Sequence, residues 1–310
     1  MDKGKVLIAA PVHEVLTNGL TEAGYELVIA EKISQKAAFD LIKDATGVIT
    51  STRLTLNKEL LDAASVLKWI GRMGSGMEVI DVPYAESKGI ACFSSPEGNC
   101  NAVAEHALGM LLSLTKKISS SYLEVKEGKW IRDANRGMEL EGKTVGIIGF
   151  GHTGSAFAKK LKGFDVNILA YDEEEKPPYA GVTMCTSLAP IFETADIVSF
   201  HVPLQKDTFH YLNEEFIRNM KKSFILLNTS RGGVVDTRAL YNGLMEKKLM
   251  GAALDVVEEE PLESMGPEIK TLLKKMLEMP EILVTPHIAG YSHEALYKMS
   301  KALLEKIVTH

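Results

Sequence analysis

Gly149-Phe150-Gly151-His152-Thr153-Gly154 has the GxGxxG spacing, in which glycines allow a tight turn and let the backbone approach a pyrophosphate at a helix N-terminus. Glycine triplets are common, so the motif gains its weight from its surroundings. The apolar run Thr144 to Gly149 leads into it, and the helical pattern Ala156 to Leu161 follows. The next apolar run, Asn167 to Tyr171, ends at Asp172, eighteen residues after Gly154. A carboxylate at that distance can accept hydrogen bonds from both ribose hydroxyls and repels a 2′-phosphate, which favours NAD over NADP. The plainer alternative, a turn glycine cluster beside a solvated acid, leaves the strand, helix and acid uncorrelated.

Three later segments each set polar residues just beyond an apolar run, where open α/β sheets bind ligands at the carboxyl ends of their strands. They are Leu226 to Gly233 with Arg231, Ala253 to Pro261 with Asp255 and the acids Glu258, Glu259 and Glu260, and Val284 to Gly290 with His287. An arginine, a glutamate and a histidine are thereby expected to converge. Taken singly, Arg231 could be a surface charge at a turn, and an acidic run is usually a solvated face. His287, between Pro286 and Gly290, has a loop setting more typical of function than of a packed core histidine.

The elements that must position these residues follow from hydrophobic period. Lys5 to Ala10, Glu26 to Ala30, Gly47 to Thr50, Trp69 to Ile70 and Ile90 to Phe93 read as strands, with helix-period runs at Val15 to Ala23, Gln35 to Lys43 and Lys58 to Ala64 between them. Ser94 to Asn99 has turn chemistry and marks a domain crossing before an apolar helix, Ala102 to Lys117. A second strand series begins at Thr144 and continues through Asn167 to Tyr171, Ile197 to Phe200, Phe224 to Asn228, Gly251 to Asp255 and Ile282 to Thr285. A last amphipathic helix, about Ser292 to Val308, is expected to return to the first domain. The expected architecture is α/β: two doubly wound parallel-sheet domains, residues 1–98 completed by 290–310, and residues 99–289.

The 310 residues carry a net charge of −6 with 45% hydrophobic and 25% charged residues, so disorder and collagen-like classes are excluded and nucleic-acid binding is not expected. Cys92, Cys100 and Cys185 form no CxxC pair, so no metal site or disulfide framework is signalled. The N-terminus lacks the apolar stretch of a signal peptide and no run reaches membrane-spanning length, so a cytoplasmic, membrane-free protein is expected.

Together with Arg72-Met73-Gly74-Ser75-Gly76 and Asp81, Asn99 to His106, Leu140 to Thr144 and His201-Val202-Pro203-Leu204, these motifs occur in the order seen in the NAD-dependent D-isomer-specific 2-hydroxyacid dehydrogenases. The chain resembles that family over nearly its whole length, closest to the D-3-phosphoglycerate dehydrogenase and hydroxypyruvate reductase branch. The resemblance implies a flavodoxin-like substrate domain, a Rossmann cofactor domain and a cleft between them. It implies that Arg231 anchors the substrate carboxylate and polarises its C2 oxygen, that His287 is the acid/base, and that Glu260, by its place before Pro261, orients and charges the histidine. These residue types suit the chemistry: a guanidinium clamps a carboxylate with two hydrogen bonds, and an imidazole titrates near neutral pH.

Gly149, Gly151, His152, Thr153, Gly154, Asp172, His201, Pro203, Thr229 and Asp255 are then expected at the cofactor. Arg53, Gly74, Ser75, Gly76 and Asn99 join Arg231 at the substrate, backbone N–H groups of Gly74 to Gly76 completing the carboxylate site. Arg53 matches one of two basic positions that some phosphoglycerate enzymes use near the phosphate, Ser51 standing at the other; a surface arginine is the alternative. Glu78 and Val257 depart from the family's usual Asp and Phe. The end at His310 is expected to leave no room for an appended regulatory domain. The substrate expected is D-3-phosphoglycerate, the alternatives being glyoxylate or hydroxypyruvate reduction or, in a different class, a dinucleotide-sensing corepressor-like binding protein. A homodimer through the cofactor domain is expected, from the apolar Ala102 to Leu114 and the polar arm Ser119 to Arg136.

Overall fold

Strands β1 (Lys5–Ile8), β2 (Glu26–Ile29), β3 (Ala45–Thr50), β4 (Trp69–Arg72) and β5 (Ala91–Ser94) alternate with helices α1 (Glu14–Glu22), α2 (Gln35–Leu41), α3 (Lys58–Ala63) and α4 (Val82–Ser87) in a computed structural model that describes residues 3–310. Met1 and Asp2, at the start of the expected first domain, lie outside the described residues. Helices α5 (Pro96–Thr115) and α6 (Ile118–Lys126) follow. Then come β6 (Thr144–Ile148), α7 (His152–Leu161), β7 (Asn167–Tyr171), β8 (Thr183–Cys185), α8 (Ala189–Thr194), β9 (Ile197–Phe200) and α9 (Glu214–Asn219). The series ends with β10 (Phe224–Asn228), α10 (Thr237–Met245), β11 (Leu249–Leu254), α11 (Pro267–Leu277), β12 (Ile282–Val284) and α12 (His293–Thr309).

The chain forms two compact units, one running to Cys100 and resuming at Gly290–His310, the other Asn101–Ala289. In the first, five parallel strands take the order β2-β1-β3-β4-β5, and in the second, seven take the order β12-β11-β10-β9-β6-β7-β8. Both are doubly wound. The central strands are apolar on both faces because helices cover both: every residue of β6, β9 and β10 is buried. Strand order reverses between β6 and β9 in the larger sheet. The segments leaving those two strands therefore splay apart and open a crevice at their carboxyl ends, the usual ligand position of such sheets.

Helix α12 belongs to the first unit: Leu303 and Ile307 share a core cluster with Val6, Ile8, Leu16 and Leu20. The Ser292 hydroxyl caps it by accepting from Ala295 N–H.

Two expectations are corrected. The Ser94 to Asn99 stretch is not a linker throughout, since α5 begins at Pro96. Proline suits a first helical turn because its missing N–H would have no partner there, and Glu97 suits the positive end of the helix. Nor does the apolar character of Ala102 to Leu114 speak for a subunit interface: Ala104, Ala107, Met110 and Leu111 pack on Val145, Ile147 and Phe157 within their own unit. The short elements α4, α6, β8 and α8 carry too few periodic positions to be read from the sequence.

Candidate active site

At the reversal point, Gly149 follows β6 with φ +90°, and a Cβ there would fall 2.7 Å from the carbonyl carbon and oxygen of His201. Only glycine allows the two loops to meet so closely. Gly151 caps α7, His152 and Thr153 form its first turn, and Gly154 is buried against the loop. Asp172, one residue past β7, is held on both oxygens: Oδ2 accepts from Phe150 N–H at 2.6 Å and Oδ1 from Glu174 N–H at 3.0 Å. The Lys176 ammonium lies 3.6 Å away. Gly149, Gly151, Asp172, His201, Pro203 and Tyr211 line one cavity of about 280 Å³. His201 Nε2 is 2.8 Å from Ser199 Oγ, and burial depresses the imidazole to about 3, so the ring is neutral at physiological pH.

Arg231 leaves β10 on a turn braced by the fully buried Asn228, whose side chain donates to Arg231 O at 2.9 Å and accepts from Ser230 N–H and Oγ–H at 3.1 and 2.8 Å. The next residue must be glycine, because a Cβ on Gly232 would lie 1.7 Å from the carbonyl oxygen of Val257. The Arg231 turn and the acidic loop are thereby in backbone contact.

The three acids of that loop go to three places. Glu258 pairs with His210 Nε2 at 2.7 Å and accepts from Thr237 N–H at 2.9 Å. Glu259 accepts from Gly266 N–H at 2.5 Å. Glu260 alone of the three meets His287, Oε1 to Nδ1 at 2.7 Å.

His287 sits at φ +55°, in the left-handed region, and its segment is clasped by Asp255. The buried Asp255 carboxylate accepts from Thr285 Oγ–H at 2.5 Å, Ile288 N–H at 2.9 Å and Ala289 N–H at 2.8 Å, while Asp255 O accepts from His287 N–H at 2.8 Å. The Thr285 hydroxyl spends its proton on Asp255, so its 3.0 Å contact to His106 Nε2 is an acceptance from the imidazole N–H. In the neutral ring, with Nδ1–H donated to Glu260, the lone pair of His287 is on Nε2, which has no protein partner among the described residues. Arginine, acid and histidine can thus bind a carboxylate and move one proton at a neighbouring oxygen.

In the first unit Gly74 takes φ +128°, and its N–H donates to Ser95 Oγ at 3.0 Å. Of the backbone N–H groups around Gly74 to Gly76 expected at the carboxylate, that of Gly74 is committed inward. Arg53 is exposed, and Asn99 is half-buried in the first turn of α5, with its amide beside Gly290.

The family model described as the D-isomer specific 2-hydroxyacid dehydrogenase NAD binding domain matches residues 108–289. The chain belongs to the D-isomer-specific 2-hydroxyacid dehydrogenase family. It is 34% identical over 307 residues to the hydroxypyruvate reductase of Thermotoga maritima, covering 99% of this chain and 98% of that one. It is 33% identical over 307 residues to the D-3-phosphoglycerate dehydrogenase of Archaeoglobus fulgidus, covering 98% of this chain and 56% of that one. The chain thus spans little more than half the length of its phosphoglycerate dehydrogenase relatives. Among solved structures, D-lactate dehydrogenase from Aquifex aeolicus, complexed with NAD and lactic acid, superposes with a TM-score of 0.84 at 28% identity over 98% of this chain and 94% of that one.

The second unit is the family's NAD-binding domain, and its residues fit that cofactor. The glycine loop offers an open backbone at Gly151, where an added Cβ would meet nothing within 4 Å. Thr229 Oγ1, just past β10, is buried with no hydrogen-bond partner among the described residues, a group that a polar ligand atom would satisfy. Asp172 lines the same cavity, where a carboxylate could accept hydrogen bonds from ribose hydroxyls.

Sequence reasoning missed Asn228, Thr285, His210 and the inward role of Glu258. Asparagine ending an apolar strand with serine two residues on is a readable sign of a side-chain-braced turn. For His210 there is none, since its partner lies 48 positions away.

Proposed function

We propose that this chain interconverts a D-2-hydroxy acid and its 2-oxo acid, with Arg231, Glu260 and His287 as the acting side chains. The carrying observation is the Glu260–His287 pair, on an acidic loop that lies in backbone contact with the Arg231 turn through Gly232 and Val257. NAD, when bound, takes up or gives back the hydride. Arg231 pairs its guanidinium with the carboxylate and draws charge from the C2 oxygen. His287 Nε2 takes the hydroxyl proton in oxidation and returns it in reduction, and Glu260 stabilises the ring while it is charged.

D-3-phosphoglycerate is the first substrate, in keeping with the relatives of that name. Reduction of glyoxylate or hydroxypyruvate is the second reading, favoured by the exposure of Arg53 and by the end-to-end match to a hydroxypyruvate reductase. Purified protein assayed with NADH against glyoxylate, hydroxypyruvate, pyruvate and 3-phosphohydroxypyruvate tests both. Tight NADH binding without turnover of any of them would overturn the enzyme reading in favour of a dinucleotide-sensing binding protein.

The same proposal includes a homodimer through the second unit. It is supported by α6 and the segment after it, where Tyr122, Leu123 and Trp130 are 61%, 57% and 82% exposed, an apolar stretch that a partner subunit would cover. A monomer in light scattering at micromolar concentration would refute it. Cytoplasmic placement is proposed from three free cysteines. Among the described residues no helix is long and apolar enough to cross a membrane.

A further inference from the structure

His210 lies outside the reacting groups, yet it is the point where three loops of the second unit meet. It stands at φ +50° in the segment after β9 that also contributes Pro203, Gln205, Thr208 and Tyr211 to the cofactor cavity. Non-glycine residues adopt that conformation at a cost, and it persists only where surrounding contacts fix it. Those contacts are specific. His210 N–H donates to Gly233 O at 2.8 Å and Leu212 N–H to Val234 O at 3.0 Å, which fastens the segment to the Arg231 turn. The ring then reaches the acidic loop, Nε2 to Glu258 Oε1 at 2.7 Å. Asp236 is the other charged group facing it, its Oδ2 3.9 Å from Nδ1.

Glu258 completes the link. Its second oxygen accepts the N–H of Thr237, the first residue of α10, which has no partner inside the helix and lies at its positive end. One carboxylate therefore ties the start of α10, six residues after Arg231, to the loop that carries Glu260 two residues later. Glu258 is mostly buried, its side chain 14% exposed, so the pair is shielded from solvent more than a surface ion pair.

We propose that the His210–Glu258 pair is a positioning clasp that sets the spacing between the carboxylate anchor, Arg231, and the proton-handling pair, Glu260 and His287. The proposal rests on the functional reading above. In it His210 and Glu258 touch neither substrate nor cofactor. They act by holding two loops at the separation one substrate requires, and a displacement of about 1 Å in such geometry costs as much as 10²-fold.

The test uses the full chain as His210→Asn, Glu258→Ala and the double variant. Asparagine tolerates the left-handed backbone but cannot span the distance to Glu258. Amide hydrogen exchange of residues 231–237 and 256–260 is followed together with kcat, KM for the 2-oxo acid, and NADH affinity by fluorescence. Exchange at Thr237 should quicken in His210→Asn, although His210 does not touch Thr237. Each single variant should lose about 10- to 100-fold in kcat/KM for the 2-oxo acid, with NADH affinity within about twofold, and the double variant should lose no more than the worse single, because the two residues act as one unit.

Unchanged Thr237 exchange in His210→Asn overturns the clasp whatever the activity shows. So does quickened exchange with unchanged kcat/KM, which would make the pair merely structural, and so does multiplication of the two losses. His287→Ala separates the premises: full activity in that variant removes the catalytic reading, and the clasp between the loops is then judged by exchange alone.

Discussion

The glycine loop and the acidic loop are both built at the carboxyl ends of the same sheet, but they hold their ligand-facing groups by different means. From Gly149 to Asp172 the site is made of backbone and of one carboxylate anchored to that backbone. Positions in such a site follow the chain's own local geometry, strand then turn then helix then strand. From Glu258 to Glu260 three identical side chains diverge to His210, Gly266 and His287, which come from three different places in the sequence. Local geometry says nothing about that sorting. Tertiary partners decide it, so the acidic loop should be sensitive to which acid is changed, and the glycine loop to whether its backbone anchor survives.

The largest effect expected is at the end of the acidic loop's chain of contacts. His287→Ala should slow oxidation and reduction alike by about 10²- to 10⁴-fold, the usual worth of general acid/base catalysis. NADH affinity should be largely kept, since the glycine loop is untouched. Steady-state rates in both directions with a fluorescence titration check this, and a loss in one direction only would break the assignment of a single proton carrier.

On the glycine-loop side, Asp172→Ala removes the two carboxylate oxygens expected to accept from the ribose and leaves Lys176 without its 3.6 Å partner. Two charge-assisted hydrogen bonds correspond to a fall in the NAD to NADP preference of about 10- to 100-fold. Part of the loss should appear as weaker binding of both cofactors, because Phe150 N–H loses its acceptor. If the preference ratio stays put, Asp172 is only a strut of the loop.

A smaller and more discriminating pair is Glu260→Gln against Glu259→Gln. The first keeps a hydrogen bond to His287 but removes the charge, and should lower kcat about 10-fold, since charge-assisted hydrogen bonds are roughly twice as strong as neutral ones. The second acts on an exposed carboxylate that accepts from Gly266 N–H and should leave kcat within about twofold. Equal effects of the two would mean that the acids act through their summed charge, and the contrast between the loops would fail.

Legibility in the sequence follows the same division. The parallel sheets were readable because β6, β9 and β10 are mostly apolar, as strands covered on both faces must be, and the Asp172 position because it follows the apolar end of β7. The start of α5 at Pro96 was hidden by turn-forming residues that also suit a first helical turn. The Arg231 and His287 loops could be placed at strand ends, but not their bracing: Asn228 and Asp255 work through carbonyls and amides, which carry no residue type. Gly232 shows the limit most plainly, since the residue it must avoid, Val257, lies 25 positions on and in a different loop.

The remaining effect concerns stability and tests how firmly the glycine loop seals its neighbour. His201 is held neutral, its imidazole depressed from an ordinary 6.5 to about 3 by burial. Above pH 6.5 neither the folded nor the unfolded chain protonates it, and it adds no pH dependence. As pH falls from 6.5 towards 3, the unfolded chain binds a proton that the folded chain refuses, so stability present above 6.5 is lost, by about 1.4 kcal/mol for each pH unit. His201→Gln, which can keep a hydrogen bond to Ser199 without titrating, should flatten the acid side of the stability profile by that one-proton slope. The other seven histidines contribute equally to both proteins and cancel in the difference. Urea midpoints at half-unit steps from pH 7.5 to 4.5 measure it. Parallel slopes for the two proteins would mean that His201 takes up its proton in the folded state, and that the contact between Gly149 and the His201 backbone does not keep the ring from solvent.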